Sequence, residues 1–154
     1  MVKYFTGSFI HRVDAKGRVS LPASYRKVLE GYSSSHVIVI PRCNRPEAHA
    51  GFSQHGYDNL IEQFEDMDLT PEEEEEESSR LIASAHHVPV DDAGRIVLAK
   101  ELREQIGITD EAAFVGRASY FEIWNPDSWA RHEDRLRERH REGRSRVPMK
   151  GLHR

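Results

Sequence analysis

Val13-Asp14-Ala15-Lys16-Gly17-Arg18-Val19-Ser20-Leu21 returns 77 positions later as Val90-Asp91-Asp92-Ala93-Gly94-Arg95-Ile96-Val97-Leu98. The flanks correspond as well: Arg26 falls opposite Arg103, and Leu29 opposite Ile106. One local unit is used twice. Each copy, from Phe5 to Phe52 in the first, is short for an independent hydrophobic core. The two copies are therefore expected to complete each other's core. A pseudo-two-fold arrangement of this kind suits a two-fold or repeated partner.

Each copy carries the chemistry of a hairpin turn feeding a short helix. Asp bonds back to its own backbone and Gly takes positive φ cheaply. Alternation then puts Val19 and Leu21 on one strand face, as it does Ile96 and Leu98, with Arg18, Ser20 and Arg95 on the other. Pro22 suits the first position of a helix whose apolar stripe is Tyr25, Val28 and Leu29, stopping at Gly31. Leu102, Ile106 and Gly107 repeat this in the second copy, where Ala99 stands for Pro22. His36–Ile40 reads as a buried strand and 113–115 as its counterpart. Phe121–Trp124 closes the second copy before an Asn125-Pro126-Asp127 helix cap. The first copy holds about five extra residues within 41–50.

Between the copies, Tyr57, Leu60, Ile61 and Phe64 recur at helical spacing. Thr70-Pro71-Glu72-Glu73 is a capping box opening a second helix, which holds Glu72 to Glu77 and then Leu81, Ile82 and Ala85. The glutamate run reads either as a solvated helix face or as a docking face for a basic neighbour. After Leu136 the chain is rich in Arg and poor in apolar residues, and its last ten or so residues read as disordered.

The net charge of −4 over 154 residues hides segregation. Residues 1–30 carry six Lys/Arg against two acids, residues 58–77 eleven acids and no Lys/Arg, and residues 130–154 nine Lys/Arg against four acids. A partner feels the local field and not the sum. Cys43 is alone, which rules out an intrachain disulfide and suits a reducing cytosol. The first residues do not resemble a signal peptide, and no run approaches the ~20 apolar residues of a membrane span. Histidines and the cysteine lack zinc-site spacing, and no Gly-x-Ser-x-Gly, Walker loop or His-Glu-x-x-His occurs. No catalytic residue, metal ligand or cofactor is expected.

Binding is the chemistry that remains. His11, Arg12, Lys16, Arg18, Arg26 and Lys27 lie on or beside the first turn. Phosphates need such cations, and Arg also reads guanine edges. Alternatively, Arg18 pairs with Asp14 and merely buttresses the turn. The second copy is poorer in charge: Val88, Pro89 and Ala93 stand where the first has His11, Arg12 and Lys16, and only Arg95 and Arg103 persist. Farther on, Arg131, Arg135 and Arg139 form an i, i+4, i+8 stripe. That stripe is either a salt-bridged exposed face or a surface for docking a neighbour's acidic connector.

The stretch from Val13 to Pro22, with Phe5-Thr6-Gly7 before it and Arg26 after it, resembles the first motif of the MraZ family. Asp91-Asp92-Ala93-Gly94-Arg95-Ile96, followed by Leu102-Arg103 and Glu122-Ile123-Trp124, resembles the second. The resemblance covers residues 5–130. It implies an α+β fold in which two SpoVT-AbrB-type units, 5–54 and 84–130, form a pseudo-two-fold swapped-hairpin β-barrel with flanking helices. A helical connector, 55–83, would join them, and an Arg-rich C-terminal helix and tail, 131–154, would follow. The resemblance also implies a sequence-specific DNA-binding transcriptional regulator of the bacterial division and cell-wall gene cluster. Such a regulator would be an autorepressor, cytoplasmic and nucleoid-associated, binding short promoter repeats in double-stranded DNA as a homo-oligomeric ring. Carried over residue by residue, its DNA surface includes Lys16, Arg18 and Arg95. Similarity to the wider AbrB pattern adds His11, Arg12, Arg26 and Lys27. The alternative is an AbrB-like antitoxin that binds DNA and a toxin partner. The duplicated motif argues against that reading, and the tail after Leu136 argues for it.

Overall fold

The computed structural model describes residues 1–141 and 146–147. The first motif spans strands β1 (Ser8–Arg12) and β2 (Arg18–Ser20) and helix α1 (Ala23–Gly31), followed by strands β3 (His36–Ile40) and β4 (Ala48–Phe52). The connector is α2 (Gln54–Glu65), α3 (Pro71–Ser78) and one π turn, Ser79–Ala83. The order then repeats: β5 (His86–Pro89), β6 (Arg95–Val97), α4 (Lys100–Gln105), β7 (Glu111–Gly116) and β8 (Phe121–Trp124). Helix α5 (Pro126–His140) follows. The fold is mixed α and β with antiparallel pairing throughout.

Neither motif zips its own flanks into a regular hairpin. Between β1 and β2 there is a single β-bridge, Val13 to Val19, and no strand ladder. The long partners lie in the other half of the chain. β1 pairs with β7, β5 with β3, and β2 with β6, while β4 pairs with β8 across the middle. Two sheets result, one ordered β1-β7-β8-β4-β3-β5 and one made of β2 and β6 alone. The strands flanking each turn therefore take their long pairings from the other copy, and Val13, Val19 and Leu21 lie in a core shared by both halves.

The shared core shows this directly. Phe5, Val13, Val19, Leu21, Tyr25, Val28 and Leu29 from the first half form one cluster with Ile96, Leu98, Leu102, Ile106, Phe114, Phe121 and Ile123 from the second. Val19, Leu21, Ile96 and Leu98 are each 1% exposed, as their alternation requires. Each such burial is worth about 1.5–3 kcal/mol relative to an exposed side chain, so neither half keeps its core without the other. Phe5, Tyr25 and Phe121 interlock by ring edges and faces, with centroids 5.1–5.3 Å apart.

Two smaller clusters cover the far side of the large sheet. Ile40, Phe52, Phe64 and Leu81 join Tyr57, Leu60 and Ile61 to seat the connector. Ala48, Ala113, Val115 and Trp124 receive Trp129 of α5. Ser53 caps α2 by accepting from the Gly56 N–H, and Thr70 and Glu73 complete the capping box of α3. Asn125 caps α5 through the N–H groups of Asp127 and Ser128.

Local boundaries differ from the sequence reading in three places. Pro22 is the N-cap and not the first helical residue of α1; Ala99 caps α4 with nearly the same backbone, φ −55° and ψ 147° against −53° and 140°. The helix expected to run through Ala85 ends at Ser78. Leu81 and Ile82 fall in the wider π turn, which buries Leu81 while Ile82 stays exposed, and Ala85 lies beyond it. The disorder expected for the last ten or so residues falls, apart from 146–147, outside the described residues.

Candidate nucleic-acid interface

The two motif turns are built alike, atom for atom. Asp14 Oδ1 accepts from the backbone N–H groups of Lys16 and Arg18, both at 2.9 Å, and Oδ2 accepts from Arg18 Nε at 2.7 Å. Asp91 Oδ1 accepts from Ala93 and Arg95 N–H, again both at 2.9 Å, and Oδ2 from Arg95 Nε at 3.0 Å. Gly17 and Gly94 close the loops at φ +85° and +76°, a region L side chains avoid. Both carboxylates are held below their ordinary range, first by the N–H of the motif arginine and also by its guanidinium. Arg18 therefore does buttress its turn, as one of its two readings has it, and Arg95 does the same in the second copy. They use Nε for it. Each arginine remains 42% exposed, and its terminal amino groups have no partner among the described residues. Buttressing and binding are thus compatible: the aspartate orients a guanidinium whose outer edge stays open.

The β2–β6 ribbon sets the relation between these edges. Its register pairs Arg18 with Val97, Val19 with Ile96 and Ser20 with Arg95. Residues directly opposite share a face. Val19 and Ile96 point into the core, so Arg18, Ser20, Arg95 and Val97 lie on the outer face, where Val97 is 52% exposed. The arginines occupy diagonal corners, about 8 Å apart by the spacings of antiparallel strands. The turns stand at opposite ends of the ribbon.

The other cations surround this face unequally. Lys16 is exposed at the tip of the first turn, and Arg12 and Lys27 are exposed nearby in sequence on β1 and α1. His11 is half-buried, with Nδ1 2.6 Å from the Ser20 carbonyl oxygen; that oxygen can only accept, so Nδ1 carries a proton. Arg26 is placed differently from the sequence reading. It does not lie by the first turn but crosses to the second, where Nη1 is 3.5 Å from the Ala93 carbonyl oxygen. Arg103, the counterpart of Arg26, crosses the other way and packs on Gly17.

Sequence reasoning did not foresee the burial of His49, of Glu122 or of the α2 cap Ser53. His49 on β4 is 1% exposed and bonds α4. The Glu122 carboxylate accepts from Arg117 Nε at 2.8 Å and Trp124 Nε1 at 3.0 Å, with Arg45 Nε 3.4 Å from its other oxygen. The guanidiniums of Arg45 and Arg117 lie over the rings of Trp124 and Trp129. The two tryptophans pack edge to face, with centroids 5.2 Å apart. His49 reaches a partner 53 residues away and Glu122 adds the distant Arg45 to its neighbours Arg117 and Trp124, so neither burial shows in the local sequence.

Among the described residues no group of His, Cys, Asp or Glu could hold a metal ion, and no helix is long and apolar enough to cross a membrane. The open arginine edges lie on a duplicated, outward-facing two-stranded ribbon. The relatives are of one kind. Residues 81–147 match the family described as "MraZ protein, putative antitoxin-like". A "Transcriptional regulator MraZ" of Gluconobacter oxydans is 32% identical over 89% of this chain and 85% of its own length. Its namesakes from Beijerinckia indica subsp. indica and Rhodospirillum rubrum are 33% and 34% identical, covering 93% and 82% of this chain and 87% and 82% of their own lengths. The chain belongs to the MraZ family. By the names of these relatives the family is one of regulators and not of enzymes.

Proposed function

We propose that this chain is a sequence-specific DNA-binding transcriptional regulator that presents the β2–β6 ribbon to double-stranded DNA. One observation carries the reading: Arg18 and Arg95, each aimed by its own aspartate, stand at diagonal corners of one exposed face. The major groove admits a two-stranded ribbon, and guanidinium edges suit both phosphates and guanine. Lys16 and Arg18 lead the contact, with Arg95 at the other end and His11, Arg12 and Lys27 flanking. Arg26 serves the second turn. Residues 5–54 and 84–130 act as two SpoVT-AbrB-type units of one swapped-hairpin module, joined by 55–83, with 131–154 as a helix and tail. The strand exchange between the halves supports this division.

The target is a set of short promoter repeats ahead of the division and cell-wall gene cluster. The chain represses its own operon there, in the cytoplasm on the nucleoid, as a homo-oligomeric ring. Association draws support from surfaces that one subunit leaves open. Val2, Tyr4, Phe9 and Ile10 expose apolar area near the edge strand β1. Glu72 to Glu76 and the Arg131, Arg135 and Arg139 stripe are exposed and of opposite charge. Footprinting on the chain's own promoter, at stated salt, tests the reading. Protection of evenly spaced repeats is expected, weakening steeply with salt. Uniform, sequence-indifferent coverage would sink the claim of specificity.

A further inference from the structure

The two helix arginines that match in the sequence, eight residues after Arg18 and Arg95 respectively, do not serve their own motifs. Arg103, on α4 of the second half, lies beneath the first turn: a Cβ built on Gly17 would sit 3.1 Å from its Nε and 3.3 Å from its Cζ. Its Nε donates to the Leu98 carbonyl oxygen at 3.0 Å, while the Leu98 N–H donates to the Gly17 carbonyl oxygen at 2.8 Å. One residue's backbone thus ties Arg103 to the first turn. Arg26, on α1 of the first half, lies beneath the second turn. A Cβ on Gly94 would strike its Nη1 and Cδ and sit 2.9 Å from its Cζ. The Leu21 N–H donates to the Gly94 carbonyl oxygen at 3.0 Å, the mirror of the Leu98 bond.

We propose that Arg103 and Arg26 are crossed positioning residues: each holds the DNA-facing turn of the opposite half and so fixes the two arginine edges in one frame. The surroundings of Arg26 fit this role and not a phosphate contact. It lines a small cleft with Glu30, Asp91 and Asp92, three carboxylates that would repel a phosphate. Its Nε is buried without a partner where Arg103 has the Leu98 oxygen, so the second turn is held less firmly than the first. The absence of a Cβ lets the Leu98 oxygen and Arg103 approach Gly17, and lets Arg26 approach Gly94.

The inference rests on the DNA-binding reading, and the test separates the two. Amide hydrogen exchange is measured on the DNA-free protein for Arg103→Ala, Arg26→Ala and the corresponding lysine variants, which retain the aliphatic stem and the charge. Arg103→Ala is expected to speed exchange at Gly17 and Leu98 and to spare Gly94 and Leu21; Arg26→Ala is expected to do the reverse. Loosening of the same-half turn, or uniform acceleration across the chain, overturns the proposal. Binding to promoter DNA is then titrated against salt. Both arginine losses should weaken binding with the salt slope unchanged, Arg103→Ala by about ten-fold and more than Arg26→Ala. Lysine should not restore it, since lysine lacks the planar fork. Rescue by lysine, or a slope lower by about one unit per arginine, would mark a phosphate contact and end the proposal. Wild-type protein that binds no promoter DNA would defeat the functional reading, and the exchange experiment would still decide the crossed brace.

Discussion

His49 Nε2 lies 2.6 Å from the Leu102 carbonyl oxygen, joining β4 of the first half to α4 of the second through a buried imidazole. Its other nitrogen, Nδ1, accepts from the Arg42 backbone N–H at 3.3 Å. A carbonyl only accepts and an N–H only donates. One neutral tautomer, protonated at Nε2, therefore satisfies both partners, and the imidazolium cannot. Burial is the first cause that lowers the pKa of this group from its ordinary 6.5; the charges of Arg42 and His86 act in the same direction and the Leu102 bond opposes them.

The sign of the pH effect follows. A histidine depressed in the folded state adds stability that is fully present above pH 6.5 and is lost as pH falls toward the folded value. The thermal midpoint should decline across that window with the slope of one proton. His49→Gln keeps a donor for Leu102 and should flatten that part of the profile. An unchanged pH profile in the variant would show that another group is responsible.

The first motif should dominate DNA affinity. Lys16→Ala with Arg18→Ala removes two exposed cations and should lower the salt slope by about two. Arg95→Ala removes one cation, beside Asp92 and Ala93, and should cost less. Equilibrium titrations at several salt concentrations check both. A larger loss from Arg95→Ala than from the double variant reverses the ranking.

Gly17→Ala and Gly94→Ala should differ although both impose positive φ on alanine. The strain alone costs ~1 kcal/mol or more in each. At Gly17 the new methyl meets the backbone oxygen of Leu98, which cannot move without disturbing β6. At Gly94 it meets the Arg26 guanidinium, a side chain that can swing away. Denaturant unfolding should therefore rank Gly17→Ala as the more destabilising, by about 1–2 kcal/mol.

Glu122→Gln should destabilise by about 2–3 kcal/mol. The change leaves two guanidiniums facing a neutral amide. The upper range for a broken buried pair is reduced because both arginine side chains are 29% exposed. Chemical denaturation with an unchanged m-value is the check. A neutral result would mean that solvent replaces the carboxylate.

A ring built head to tail should show as a discrete multiple of the subunit mass in solution. Promoter fragments with altered repeat spacing should lose the avidity of the array. Mass measurement at low and high salt also tests the acidic connector against the Arg131, Arg135 and Arg139 stripe. A monomer that binds single repeats as tightly as arrays would remove the ring.

How legible each feature was depends on the range of the interaction that makes it. The Thr70 box and the Asn125 cap are contacts within four residues, and type and spacing suffice to read them; Asp14 with Arg18 was one of two readings, and Asp91 with Arg95 repeats it in the structure. Burial of Val19, Leu21, Ile96 and Leu98 follows from a period of two. The end of α3 was not legible, because Leu81 is drawn into a π turn by packing against Phe52 and Phe64, which local spacing does not encode.

The sequence by itself determined that one turn is built twice and which face of each strand is apolar. These are local properties of φ, side-chain reach and alternation. Tertiary structure alone decided which half each strand joins, that Arg26 and Arg103 cross over, and that His49 and Glu122 are buried. Two copies of one motif offer equivalent partners in sequence, within the same half or across. The choice between them is made by the burial of a core that neither half can close alone.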